Sequence, residues 1–340
     1  MKKVLIIYNP TSGSAAGPEL WLGSVVHRLC LDAGTVTVVS TTHGTTPENI
    51  LPEDINPRNT DLIVAAGGDG TVRMVLHCLA SRQLPIPAGI IPLGTGNLLA
   101  RNLKIYEENL LVDPIEKAID ILLKGSPMAI DLGIMNGQYF AAAAGAGPLS
   151  DAIITPDRRD KENWKMLAYA GSMVQTLGKA PVLFRIEADG EVFKISATGI
   201  FVTNIADLGV GSLSETASMN DGLLDLCILS PREFSDYLKY GFHFAASASA
   251  ITAGKAPYYV RKVRDLTISV VKRMRPLSIL EAGLNEITNK LMGKGASRTV
   301  GQNVTAMIDG DAWGNTPMQI GIAPLAVRVI VPPQALRSQA

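Results

Sequence analysis

Cysteine is scarce in this chain of 340 residues: Cys30, Cys78 and Cys227 are all there is, and none sits at a metal-ligand spacing from another. So odd and sparse a count excludes a disulfide framework and fits a reducing compartment, and each thiol reads as a small core residue. Charge of one sign is missing as well. Lys plus Arg (31) equals Asp plus Glu (31), which removes the global signature of a nucleic-acid binder and leaves any such attraction to a local patch. Histidine is rare, and His27, His43, His77 and His243 show no ligand spacing. Long apolar runs are absent too. Leu132 to Ser150 is uncharged but broken by Asn136, Gln138, Pro148 and several glycines, and Tyr240 to Gly254 is too short to span a bilayer. No transmembrane segment is expected. Met1-Lys2-Lys3 before Val4 to Tyr8 imitates a signal peptide, but Asn9-Pro10 ends the apolar run too early. The expected location is the cytoplasm.

What is there suits a folded protein. Hydrophobic residues make up 47% and charged residues 18%, enough to bury a sizeable core, and the length suits two domains. The first third alternates strand and helix. Strands are expected at Val4–Tyr8, Val36–Val39, Leu62–Ala66 and Ile86–Ile91, with helices at Glu19–Leu31, Val72–Ser81 and Asp113–Leu123. Continuous apolar strands separated by helices imply parallel pairing in a doubly wound sheet. After about residue 126 strands follow one another: Ala129–Met135, Gln138–Ala144, Val182–Ala188, Val192–Asn204, Leu223–Leu229, Leu266–Val271, Met318–Ile322 and Ala326–Val331. Asp189-Gly190 is a hairpin signal. This half is expected to be a mostly antiparallel β-sandwich.

The strongest chemical signal is Gly67-Gly68-Asp69-Gly70-Thr71, between an apolar strand and a helix. Glycines there admit close backbone approach to a ligand and positive φ, and the helix start suits phosphate. Asp69 beside phosphate makes sense with Mg2+ between them; the plainer alternative is a tight turn with a capping carboxylate. Pro92-Leu93-Gly94-Thr95-Gly96-Asn97 and Asn9-Pro10-Thr11-Ser12-Gly13 also follow apolar strands. Three such loops at strand ends face one crevice in a nucleotide-binding fold. The chain has no Walker A motif and no Gly-x-Gly-x-x-Gly opening the first helix, so a P-loop or dinucleotide Rossmann enzyme is disfavoured.

These loops resemble the catalytic domain of the diacylglycerol kinase family, which also holds sphingosine and ceramide kinases. The similarity continues through Asp131-Leu132-Gly133, Tyr139-Phe140, Asp221-Gly222-Leu223-Leu224-Asp225-Leu226, Asp309-Gly310-Asp311 and the closing Pro324-Leu325 to Val331-Pro332. It implies an ATP- and Mg2+-dependent lipid kinase. Gly67, Gly68, Asp69, Gly70 and Thr71 would hold the phosphates, with Asn9, Thr41, Gly94, Thr95 and Asn97 lining the same cleft. Asp69 would act on the catalytic Mg2+, and Asp221 would bind a structural Mg2+ that ties the domains together. Asp311 would be the general base, with Asp309 beside it. By themselves, Asp309-Gly310-Asp311 also reads as a hairpin turn and Asp221 as a turn or cap.

Three departures stand out. Asp311 replaces the family's Glu, one methylene shorter. Glu215 stands where the pattern has Pro, and the glycine-rich stretch thins to Gly209-Val210-Gly211. Extra sequence lies between Val271 and Val304, starting with Lys272, Arg273 and Arg275. Within it Leu277, Leu280, Leu284, Ile287 and Leu291 predict an amphipathic helix over 276–294. Its stripe packs on the second domain, on a second copy in a homodimer, or on an anionic inner-membrane surface. The expected layout is an ATP-binding α/β domain over 1–126 plus about 323–340, and a lipid-substrate domain over 127–322. A kinase of a soluble hydroxyl compound, as the similarity of Gly-Gly-Asp-Gly to NAD kinase suggests, and a silent lipid- or nucleotide-binding protein are the alternatives.

Overall fold

The computed structural model describes residues 2–12, 18–107, 113–154, 181–209, 211–231, 234–248, 256–271 and 303–337. Its first part runs β1 (Lys2–Tyr8), α1 (Pro18–Asp32), β2 (Ala33–Ser40), β3 (Leu62–Gly67), α2 (Asp69–Ser81), β4 (Ala88–Pro92), α3 (Leu98–Asn102) and α4 (Pro114–Lys124). Every residue of β3 and β4 is buried, as strands covered by helices on both faces must be. Asp113 caps α4 rather than opening it. Its carboxylate accepts the Ile115 amide at 2.8 Å, and Pro114 occupies the first helical position, where no amide is needed.

The second part runs β5 (Ser126–Met135), β6 (Gln138–Phe140), β7 (Ala143–Ala146), α5 (Pro148–Ile154), β8 (Val182–Ala188), β9 (Glu191–Ala197), β10 (Gly199–Thr203), β11 (Leu224–Leu229), α6 (Phe234–Ala248), β12 (Tyr259–Val263), β13 (Asp265–Val270), β14 (Thr305–Ile308), β15 (Asp311–Asn315), β16 (Met318–Val331) and α7 (Pro333–Arg337). The strands among the described residues form two sheets. The ten-stranded one has the order β2-β1-β3-β4-β16-β13-β8-β9, with β5 pairing both β16 and β6. The six-stranded one has the order β12-β11-β10-β7-β14-β15. The four strands β2, β1, β3 and β4 are parallel, and β16 joins them in parallel at Val329–Ala88. Beyond β16 the pairing is antiparallel. The chain thus has the expected α/β sheet and a second, antiparallel sheet, but one continuous sheet runs through both parts.

Three strand expectations need correction. Gln138–Ala144 divides into β6 and β7, which belong to different sheets. Val192–Asn204 divides likewise into β9 and β10, at Thr198. That buried residue gives both its amide and its hydroxyl to the Leu229 carbonyl, at 2.9 and 3.2 Å. Conversely, Met318–Ile322 and Ala326–Val331 fuse into β16, which absorbs Pro324 as an irregularity with Leu325 at φ +48°. Periodicity cannot see where a strand changes sheets, because both sides of the change remain apolar. The 276–294 helix lies outside the described residues.

Two cores follow. Ile6, Ile7, Ile63, Val64, Leu76 and Leu79 belong to the first, under α1, α2 and α4. Phe140, Phe184 and Ile268 from the large sheet meet Ile200, Leu226 and Ile308 from the small one in the second. Burying each such side chain contributes roughly 1.5–3 kcal/mol.

Candidate active site

The four parallel strands end side by side, so the residues that follow them are neighbours. The Asn9 amide donates to the Ala66 carbonyl at 3.0 Å, Thr41 to Tyr8 at 2.8 Å and Leu93 to Gly67 at 3.0 Å. Asn9, Thr41, Gly67 to Thr71 and Gly94 to Asn97 are thereby gathered at one edge of the sheet. Asn9 closes its own turn by accepting the Thr11 amide and hydroxyl at 2.9 and 2.8 Å. Asn97 is buried in the left-handed region (φ +49°) and clamps its loop from both sides, accepting the Gly94 amide at 2.9 Å and donating to the Gly94 carbonyl at 2.7 Å. Thr95 is exposed at the tip.

The glycines serve close approach, not positive φ. None of Gly67, Gly68, Gly70, Gly94 and Gly96 is left-handed, which corrects half of the expectation. A Cβ on Gly94 would lie 2.6 Å from the Gly68 Cα, so the two loops touch backbone to backbone. A Cβ on Gly96 would lie 2.7 Å from Asp69 Oδ2. Asp69 stands in the first turn of α2, where its carboxylate accepts the Leu98 amide at 2.6 Å. Burial lifts its pKa to about 6, the Leu98 amide opposes this, and the Asp309 charge adds to it.

The other wall comes from the second part of the chain. Asp309 (φ +49°) and Gly310 (φ +88°) form a two-residue turn joining β14 to β15. The Asp309 carboxylate accepts three successive amides, those of Ala141, Ala142 and Ala143, at 3.1, 2.9 and 2.9 Å. Burial pushes its pKa up, while the three amides and Arg73 pull it back. Asp309 is therefore an anchor that fastens the hairpin to the β6–β7 link. Asp311 differs: its side chain is 60% exposed, and its Oδ2 accepts Arg73 Nη2 at 3.0 Å. A Cβ on Gly70 would lie 3.8 Å from that Oδ2, so Asp311 faces the glycine loop directly.

Arg73 and His77 were not singled out as site residues from the sequence. With Asp69 they fall at i, i+4 and i+8 on α2, one stripe of the helix. Residues around the whole of α2 from Thr71 to Ala80 are mostly buried, including both of these, because the second part of the chain covers the polar stripe. His77 Nδ1 accepts the Tyr139 amide at 3.2 Å, and burial lowers its pKa. The signal available in the sequence is the spacing of Asp69, Arg73 and His77 four residues apart between apolar positions of α2.

Asp221 lies elsewhere. It accepts the Leu223 amide at 3.0 Å and pairs with Lys262, and among the described residues no three His, Cys, Asp or Glu side chains gather as a metal site. Asp131, fully buried, accepts the Gly222 and Leu325 amides, both at 2.7 Å, and so holds the turn after Asp221 to β16. A shallow cavity of about 790 Å³ lies away from the glycine loops, lined by turn residues such as Asn136, Gly137, Asp189 and Gly190.

The described residues form an α/β fold whose two glycine loops meet at the ends of neighbouring parallel strands. The crystal structure of a diacylglycerol kinase from Bacillus anthracis str. Sterne has the same fold, with a TM-score of 0.73 over 98% of each chain at 19% identity. The diacylglycerol kinase catalytic domain matches residues 3–135. A diacylglycerol kinase of Bacillus subtilis (strain 168) is 34% identical over 70% of this chain and 77% of its own length. One from Staphylococcus aureus (strain JH9) is 30% identical over 79% and 82%. The chain belongs to the diacylglycerol kinase family.

Proposed function

We propose that the chain is a lipid kinase that uses ATP and Mg2+ to phosphorylate a hydroxyl of a lipid such as diacylglycerol. One observation carries this: Asp311, from the second sheet, meets the first turn of α2 beside Gly70. A carboxylate opposite a glycine loop is what transfer to an alcohol requires. The relatives of Bacillus subtilis and Staphylococcus aureus are diacylglycerol kinases, which supports a lipid of that kind as acceptor.

Gly67 to Thr71 and Gly94 to Asn97 would enclose the phosphates, with Asn9 and Thr41 on the flank. Hard carboxylate oxygens suit Mg2+, which takes one or two of them together with phosphate oxygens. Asp69, whose pKa is lifted to about 6 by burial with help from the Asp309 charge, would hold the ion, since a cation there offsets both effects. Mg2+ so held supplies charge neutralisation at the phosphates. The acceptor oxygen forms a bond to the γ-phosphorus, the bond from that phosphorus to the bridging oxygen breaks, and ADP departs with the pair. Asp311 takes the hydroxyl proton, a contribution of about 10²- to 10⁴-fold. Asp309 holds the turn that carries Asp311.

The test is incubation with γ-labelled ATP, Mg2+ and mixed micelles of a panel of hydroxylated lipids, beside Asp69→Ala and Asp311→Asn. Label in one lipid, lost in both variants, is the expected result. Label only in water-soluble alcohols, or in nothing, overturns the proposal.

A further inference from the structure

We infer that Arg73 is a positioning residue that holds the Asp311 carboxylate in line with the glycine loop, which presumes the lipid kinase reading above. Asp311 has reason to need a holder. Its side chain is 60% exposed, and it has one rotatable bond less of reach than a glutamate. The backbone beneath it is already secured, because Asp309, two residues earlier, is tied to three amides. Those bonds fix the turn and leave the Asp311 side chain to be set by something else.

Arg73 is built for that. Only 7% of its side chain is exposed, on the helix whose first turn carries Asp69. One guanidinium nitrogen, Nη2, meets Asp311 Oδ2 at 3.0 Å. The guanidinium also lies 4.8 Å from the centre of the Trp313 ring, which belongs to the same strand as Asp311. Stacking and ion pairing together lock a planar group that a lysine cannot imitate. Its Nε is buried with no hydrogen-bond partner. A buried donor left unpaired costs stability, so a packing role alone gives no account of the arginine. One side chain therefore joins the helix of the glycine loop to the strand of the base. It fixes both the distance between them and the carboxylate's direction.

The experiment compares kcat and KM for Arg73→Ala and Arg73→Lys in the full chain, each alone and combined with Asp311→Asn. Misplacing a catalytic group by about 1 Å costs on the order of 100-fold. The expected result is a kcat loss of about that size in Arg73→Ala with the KM for ATP unchanged. Added guanidinium ion should recover part of it, whereas Arg73→Lys, without the planar fork, should recover little. In the Asp311→Asn background, removing Arg73 should then cost less than about threefold, because residues acting as a unit are not additive. Equal losses in both backgrounds would show a merely structural arginine, and a raised KM for ATP would show one that binds phosphate; either overturns the inference. In both of those cases the unmodified chain still phosphorylates lipid, so the two proposals fail separately. An inactive unmodified chain removes the lipid kinase reading and this inference with it.

Discussion

Gly96 and Asp69 meet across the two glycine loops so closely that a single methyl group would not fit: a Cβ on Gly96 would stand 2.7 Å from Asp69 Oδ2. The carboxylate has little room to yield, since the Leu98 amide holds its other oxygen at 2.6 Å. Gly96→Ala should therefore lower kcat at least about tenfold and cost about 1–3 kcal/mol, as overpacking does. Gly23→Ala, on an open face of α1 with nothing within 4 Å, should leave activity intact and gain up to about 1 kcal/mol. Steady-state kinetics and thermal melts of the two variants check both.

Asp69 should make the protein less stable where it makes it active. Folding lifts this carboxyl from 3.8 to about 6, so between those values the folded chain binds more protons than the unfolded one. Unfolding free energy then falls as pH rises through that window. Asp69→Asn should raise stability at pH 7 by about 1–3 kcal/mol while abolishing phosphoryl transfer. Denaturant curves at pH 4 and pH 7 should show the gain only at the higher pH.

Mg2+ should reverse that penalty. An ion bound to the folded state alone stabilises it in proportion to RT ln(1 + [L]/Kd), about 2.7 kcal/mol at a hundredfold excess over Kd. A rise in Tm with Mg2+ and a non-hydrolysable ATP analogue, absent in Asp69→Asn, is the expected outcome. Equal shifts in both proteins would place the ion elsewhere.

The two carboxylates of the hairpin should separate cleanly. Asp309→Ala strands three amides and should cost about 2–4 kcal/mol, since a lost charged acceptor leaves its donors desolvated. Asp311→Asn removes an exposed carboxylate with one ion-pair partner and should change stability by less than about 1 kcal/mol while removing nearly all activity. A melt and an activity assay on each variant distinguish anchor from base.

Asp131 should behave as a joint. It is fully buried, and its two oxygens accept the Gly222 and Leu325 amides. Asp131→Ala should destabilise by about 1–3 kcal/mol, because it removes a fully buried carboxylate that accepts two amides. Hydrogen exchange of the Gly222 and Leu325 amides should rise before global unfolding.

Much of this was legible in the chain itself. Strands buried on both faces have no polar alternation to hide them, so β1, β3 and β4 stand out as apolar runs, and the loops after them are marked by glycines. That the four parallel strands end together follows from parallel pairing alone, and it gathers Asn9, Thr41, Asp69 and Asn97 without further information. Strand order beyond β4 was not legible. Ala141 and Ala142 look like strand residues in any window, yet their amides turn to Asp309, 167 or more residues away.

The amino-acid sequence by itself determined the alternation of elements, the glycine loops and the types of group that do chemistry, because these depend on local spacing and on residues a few positions apart. Only the tertiary structure decided which carboxylate anchors and which faces the loop, and that Arg73 belongs to the site. Asp309 and Asp311 are separated by a single glycine and share the same chemistry. What distinguishes them is the partner each meets: three backbone amides for one, and for the other a buried guanidinium 238 residues distant in sequence. Such long-range pairings arise when the two sheets pack and α2 is enclosed, and no local window contains them.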